Sequence, residues 1–397
     1  MLTNKRVSWR ERRHVLEVLN SEFRSSKATN MVSRAESAFA KFNGNEYAIA
    51  CTNGTATLHI ALEALGVGPG DEVIVPPLTM AATCYAVLQA NATPVFADVD
   101  LDTWQLDPRS VKEKISEKTK AVISVALYGT CPDYYALKEV MGKIPLIEDN
   151  AEAVGVTYDG KQIGSFGDFS SYSFQSSKHL SAGEGGMLCT DSQALADSAR
   201  KIQSLGYRGV SSNQGKISKN DIQSPNYMRH EILGWNYRMS DITAAVVLGQ
   251  IEHAAALLAT RNSISKEFEK VIENCDWLKA QTTYPLATHS YWAYSVLLIK
   301  EGLEWQDFVD KFREFGGRGI YAAWQLNYNE PVFQKRAFLG REHFISKAHL
   351  NNYAKGLCPN AEFLQPRILA FRTNEWTKKQ RREQVIALKR TIGYFGN

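Results

Sequence analysis

The sequence predicts an α/β domain built on a mainly parallel sheet, followed by a smaller α+β domain. Three observations carry this. From about residue 45 to 192 short apolar runs alternate with helical patterns. Most of those runs are apolar throughout instead of alternating, as strands buried on both faces are. From about residue 285 to 397 strands and helices mix without that regular alternation. The division is placed at 1–250 and 251–397, with the N-terminal helix free to pack on the smaller domain. A chain of 397 residues is long enough for both.

The expected strands, in order, are YAIACT (47–52), EVIVPP (72–77), TPVFADV (93–99), KAVISVALYG (120–129), PLIED (145–149), FSSYSF (169–174) and GMLCT (186–190). Helical patterns fill the gaps at 55–65, 79–89 and 110–115. Residues 206–234 are polar, rich in Ser, Asn, Gln and Gly, and without a period. A loop that long inside a compact protein is functional or mobile. From Ser240 to about Glu273 the chain is helical, and a further amphipathic helix is expected over 377–394. Its basic run Lys378, Lys379, Arg381 and Arg382 reads as a solvated face.

Composition narrows the function. Apolar residues make up 44% and charged residues 22%, the balance of a soluble globular protein. A formal charge of +4 is too small to suggest a nucleic-acid binder, although it would weakly favour an anionic small molecule. Cys51, Cys84, Cys131, Cys189, Cys275 and Cys358 are scattered and form no CxxC. That argues against a disulfide framework or a zinc site and fits a reducing compartment. The N-terminus is basic but lacks a continuous apolar segment, and no apolar run approaches a bilayer span. A cytoplasmic protein without nucleic-acid or membrane partners is expected.

In an open α/β sheet ligands bind beyond the carboxyl ends of the strands, and three polar groups fall there. The first strand ends near Thr52, Asn53–Gly54 turns the chain, and Thr55 opens a helix. Free amides at a helix start suit a phosphate, but taken alone these residues read more readily as an ordinary junction with Thr55 as cap. Asp149 closes a strand, where it could face a cationic ring nitrogen or cap the next turn. Ser173 ends another strand, and Lys178 follows in a loop before the tight turn GEGG. Most lysines are solvated, whereas one kept from bulk water is nucleophilic toward carbonyls. A phosphate cradle, a carboxylate for a pyridinium nitrogen and a Schiff-base lysine are together what pyridoxal phosphate requires.

These stretches resemble one family. NGTATLHIAL, GPGDEVIVPPLTMAATCYAV, PVFADVD, IEDNAEAVG, SYSFQSSKHLSAGEGGM and GWNYRMSDITAA follow the order and spacing of the sugar aminotransferases named after DegT, DnrJ and StrS. Those are fold-type-I pyridoxal-phosphate enzymes, and the similarity spans nearly the whole chain. It implies that Lys178 carries the cofactor covalently and moves the proton, and that Asp149 keeps the pyridine nitrogen protonated. Glu152 is implied beside the phenolic oxygen, and Gly54, Thr55 and Ser173 at the phosphate. Asn236 is implied to reach the phosphate of a neighbouring subunit's cofactor, hence a homodimer with two shared sites. Read without the family, Asn236 is only a turn ahead of the helix at Ser240.

Two positions depart from the pattern. Met80 replaces the usual aromatic that stacks on the ring, and a thioether can still cover a ring face. His179 replaces a frequent Asn. The implied reaction moves an amino group from L-glutamate to a nucleotide-linked 4-keto-6-deoxyhexose. A keto-cyclitol such as scyllo-inosose, with glutamine or glutamate as donor, is the alternative. The aromatic run Tyr291, Trp292 and Tyr294 would suit a nucleotide sugar and reads equally as core. Lys at position 178 argues against the family's 3-dehydratases, which carry His there. The complete set of Lys178, Asp149 and Ser173, with no DNA-binding module, argues against a regulatory protein that binds the cofactor without turnover.

Overall fold

The structure is a computed structural model and describes residues 6–396 apart from 25–26, 212–219, 221–222, 346–348 and 350–351. In chain order the first strands are β1 (Tyr47–Cys51), β2 (Glu72–Val75), β3 (Thr93–Phe96), β4 (Thr119–Val125) and β5 (Leu146–Asp149). The two-residue pair β6 (Thr157–Tyr158) and β7 (Lys161–Gln162) forms a ribbon of its own, and β8 (Phe169–Ser173) and β9 (Gly186–Thr190) follow. The other seven make one sheet in the order β1-β9-β8-β5-β4-β2-β3. The pairs β3–β2–β4–β5–β8 are parallel, and β9 runs antiparallel to both of its neighbours. Their side chains are almost all buried, because helices cover both faces.

Register decides where the strand ends meet. Cys51 of β1 lies opposite Gly186 of β9, and Gly186 lies opposite Ser173 of β8. Asp149 of β5 pairs beside Ser171 of β8. Three strand ends and the start of a fourth therefore share one sheet edge. Gly186 has to be glycine: a Cβ there would stand 2.5 Å from the backbone of Asn53.

The smaller sheet is antiparallel, with β10 (Leu278–Ala280), β11 (Ala293–Leu298), β12 (Tyr321–Ala322) and β13 (Ile368–Arg372) in the order β10-β11-β13-β12. The helices Ala254–Ile272, Trp305–Glu314 and Lys378–Phe395 bury their apolar stripes on it around Phe268, Phe308, Phe312 and Phe371. Chain order does not separate the two halves in space. Leu326, Tyr328, Phe333 and Tyr353 join the core of the large sheet. Asn327 donates to the carbonyls of Pro77 and Thr79, and Tyr353 to that of Pro94.

The N-terminal helix Trp9–Asn20 corrects the reading that left it free for the smaller domain. It packs on the helix Asp241–Glu252, where Gly249 lets the backbone of Glu11 approach; an added Cβ would meet Glu11 N at 2.6 Å. The helical stretch expected from Ser240 to Glu273 is two helices, Asp241–Glu252 and Ala254–Ile272, bent by 63° at His253. Among the described residues no single helix is long and apolar enough to cross a membrane.

Candidate active site

Each strand reaching the shared edge delivers a polar group there. After β1 the side chain of Asn53 accepts the amide of Ala56 at 2.8 Å, so the helix Gly54–Ala64 is capped by Asn53 and Thr55 lies inside its first turn. That corrects the reading of Thr55 as cap. The cap leaves the first-turn amides of Gly54 and Thr55 without helical acceptors. Gly54 also packs closely on β8, with an ideal Cβ 3.0 Å from that of Ser173.

After β5, Asp149 is buried. Thr83 donates to its Oδ2 at 2.8 Å, and the amide of Ala151 reaches Oδ1 at 3.3 Å. Burial raises its pKa above the usual carboxylate range, opposed by the Thr83 hydroxyl and by the charge of Lys178. Its neighbour Glu148 points to the opposite face, as alternation along a strand requires. There Glu148 accepts the amides of Gly164, Phe166 and Gly167 at 2.7, 2.8 and 2.6 Å, which anchors the turn into β8.

Beyond β8 the loop brings Lys178 back over Asp149. Its Nζ donates to Glu152 Oε1 at 2.9 Å, while Oε2 accepts the amide of Tyr128 at 3.2 Å. The same Nζ lies 5.1 Å from the ring centre of Trp292. Two buried carboxylates thus share one ammonium, which is already paired with Glu152. A cationic ring nitrogen would supply the counter-charge that Asp149 lacks.

These groups surround a cavity of about 600 Å³ lined by Gly54, Thr55, Met80, Asp149, Ser173 and Lys178. Trp292 and Trp324 form another of its walls, and the size suits a cofactor or drug-sized ligand. Met80 is half exposed at its rim. Glu152 sits behind Lys178 and is buried. Asn236 is exposed and outside the cavity of its own chain. Its segment is nevertheless tied to the cradle: Asn236 bridges Ser204, and the amide of Thr52 donates to the carbonyl of Tyr237 at 2.8 Å.

Of the aromatic run only Trp292 reaches the cavity, since Tyr291 and Tyr294 pack in the smaller core. The loop 206–234 is zipped at its base, where Arg208 donates to Arg229 and Glu231 to Gly206. Its residues 212–219 and 221–222 lie outside the described residues.

His179 is fully buried, with Nε2 3.1 Å from the Ser290 carbonyl. Burial, reinforced by the charge of Arg261, holds its pKa well below the usual histidine range. It is a neutral packing residue. An unfolded histidine takes up a proton near pH 6.5 and the folded one does not, so stability is lost as pH falls below that value. The slope is about 1.4 kcal/mol per pH unit for one such residue. Thermal unfolding between pH 7 and 5 should therefore fall more steeply for the parent than for His179→Gln. Equal slopes would remove His179 as the cause.

Sequence reasoning missed Thr83, Trp324 and Arg261. Thr83 and Trp324 are unremarkable in one dimension and gain meaning only across the fold. Arg261 did leave a signal: it falls on the stripe Leu257, Ile264, Phe268 and Ile272 that its helix buries.

The family model for the DegT/DnrJ/EryC1/StrS aminotransferases matches residues 6–388. The chain belongs to that family. GDP-perosamine synthase of Escherichia coli O157:H7 is 38% identical over 293 residues, 73% of this chain and 76% of that protein. GDP-perosamine synthase of Caulobacter vibrioides is 39% identical over 305 residues, 75% and 76% of the two chains. The solved structure of an aminotransferase from Psychrobacter cryohalolentis superposes with a TM-score of 0.84 at 26% identity, covering 98% of this chain and 97% of that one. This aminotransferase is a fold-type-I, pyridoxal-phosphate-dependent transaminase, as the resemblance of its motifs implied.

Proposed function

We propose that this aminotransferase moves the amino group of L-glutamate to the keto group of a nucleotide-linked 4-keto-6-deoxyhexose, with pyridoxal 5′-phosphate bound in the cavity at the sheet edge. The observation that carries the reading is the grouping of Lys178, Asp149 and the open helix start at Gly54 around one space. The nucleotide sugar is favoured over a keto-cyclitol by relatives named as GDP-perosamine synthases.

When bound, pyridoxal phosphate supplies an aldehyde that accepts the amino group and a ring that takes up electrons from the substrate carbon. The protein supplies the rest. The amides of Gly54 and Thr55 and the hydroxyl of Ser173 hold the phosphate. Asp149, fixed by Thr83, keeps the ring nitrogen cationic. Met80 covers the ring at the rim of the cavity. Lys178 would carry the cofactor and, once released from it, its Nζ would take the proton from the amino-acid Cα and hold it for its return. Glu152, which accepts from Nζ at 2.9 Å, would hold the free amine and would stand near the phenolic oxygen of the bound cofactor. Asn236, exposed in its own chain, serves the phosphate site of a second copy, so the working unit is a homodimer.

The test separates the two halves of the reaction. Protein loaded with cofactor is treated with L-glutamate, freed of donor, and offered GDP- and dTDP-linked 4-keto-6-deoxyhexoses and scyllo-inosose. Mass spectrometry should find the new amine on a nucleotide sugar. An amine on the inositol alone, or on none of them, would overturn the proposal.

A further inference from the structure

Arg261 is 1% exposed, and among the described residues no carboxylate lies within ion-pair distance of it. A buried cation without such a partner is costly, and an apolar side chain would fill the same stripe more cheaply. Burial, with the charge of Arg6 next, lowers its pKa to about 9, so it stays charged at neutral pH. Its two terminal nitrogens serve backbone or hydroxyl oxygens near the site, while Nε is buried without an acceptor. Nη1 reaches the carbonyl of Trp292 and Oγ1 of Thr373, each at 2.8 Å. Nη2 reaches the carbonyls of Ser177 and Lys178, each at 3.2 Å.

Two other donors converge on the same peptides. The indole N–H of Trp292 donates to Ser177 O at 3.1 Å. Arg6 donates to Lys178 O at 3.2 Å and to Ser176 O. One planar fork therefore grips both the main chain of the lysine and the main chain of the tryptophan whose ring faces its amine. Glu152 steadies only the tip of Lys178, and that bond must break when the amine reacts. The main chain is the anchor that persists through the reaction.

We propose that Arg261 is a positioning residue: its guanidinium fixes the Lys178 peptide against Trp292, so that the amine is presented to the cofactor at a set distance and direction. The inference rests on Lys178 being the reacting amine. Its charge alone is not the point, because a lysine has the charge without the rigid fork.

The test follows the amine directly. Cofactor-free protein is mixed with pyridoxal phosphate, reduced with borohydride at timed intervals, and the adduct on Lys178 is measured by mass spectrometry. Arg261→Met and Arg261→Lys should both label about 10²-fold more slowly than the parent, the scale of a misplaced reacting group. In turnover the loss should fall on kcat and not on KM. Parent-like labelling by folded Arg261→Met, or full rescue by Arg261→Lys, would overturn the proposal. Should Arg261→Met not fold, Trp292→Phe keeps an aromatic ring, smaller than the indole, and removes the N–H to Ser177. It should label more slowly, and parent-like labelling there would be equally fatal. If the parent itself is not labelled at Lys178, the site reading fails first and this inference falls with it.

Discussion

Lys178→Ala is expected to lose turnover and covalent cofactor together, and Lys178→Arg to lose both while keeping more of the stability. The two variants separate chemistry from charge. Among the described residues no other lysine lines the cavity with Asp149, so neither variant is expected to hold the cofactor covalently or pass a proton from the substrate carbon. Stability responds differently. The side chains of Lys178 and Glu152 are 11% and 5% exposed and meet at 2.9 Å. Removing one partner of such a buried pair costs about 3–5 kcal/mol. Arginine at 178 keeps a cation near Glu152, although its fork does not match the space of the straight lysine. The expected order of thermal stability is parent, Lys178→Arg, Lys178→Ala, with activity absent from both variants. Borohydride trapping and steady-state assays read the chemistry, and calorimetry reads the pair. Turnover in either variant would dismiss Lys178 as the reacting group.

The large sheet was legible because burial on both faces writes itself into sequence as unbroken apolar runs, such as AIAC (48–51) and VIV (73–75). The site was legible for a related reason: each strand end carries its polar residue one or two positions past the apolar run. What the sequence hid depends on approach from elsewhere. The bend at His253 interrupts a helical pattern that stays apolar on both sides, with no proline or glycine at that residue to announce it. The packing of Leu326 and Tyr353 on the large sheet depends on partners more than 200 residues away in sequence, Asn327 with Pro77 and Tyr353 with Pro94. Asn53 and Thr55 are both competent caps, and only the backbone shows that Asn53 takes the position. Arg261 was visible as a charge on an apolar stripe, but its four acceptors come from three separate segments of chain.

Asp149→Asn should stabilise the cofactor-free protein and disable the enzyme, because the site holds a carboxylate whose partner arrives only with the cofactor. Without that partner Asp149 has the Thr83 hydroxyl and the Ala151 amide, and burial raises its pKa despite them. The sign of the pH dependence follows. Between the unfolded carboxylate value of about 3.9 and the raised native value, the folded chain binds more protons than the unfolded one. Stability contributed by this residue is therefore lost as pH rises through that window, and the loss persists above it. Asparagine has no such loss, so the Tm advantage of Asp149→Asn over the parent should be absent near pH 4 and open as pH increases. Pyridoxal phosphate should reverse the ranking. A ring cation pairs with the carboxylate and not with the amide, so the parent gains more Tm from the cofactor than the variant does. Turnover should fall on the order of 10²–10³-fold, the usual consequence of removing one preorganised electrostatic group. Equal cofactor-induced shifts in Tm, or a parent-like kcat, would show that Asp149 does not face the ring nitrogen.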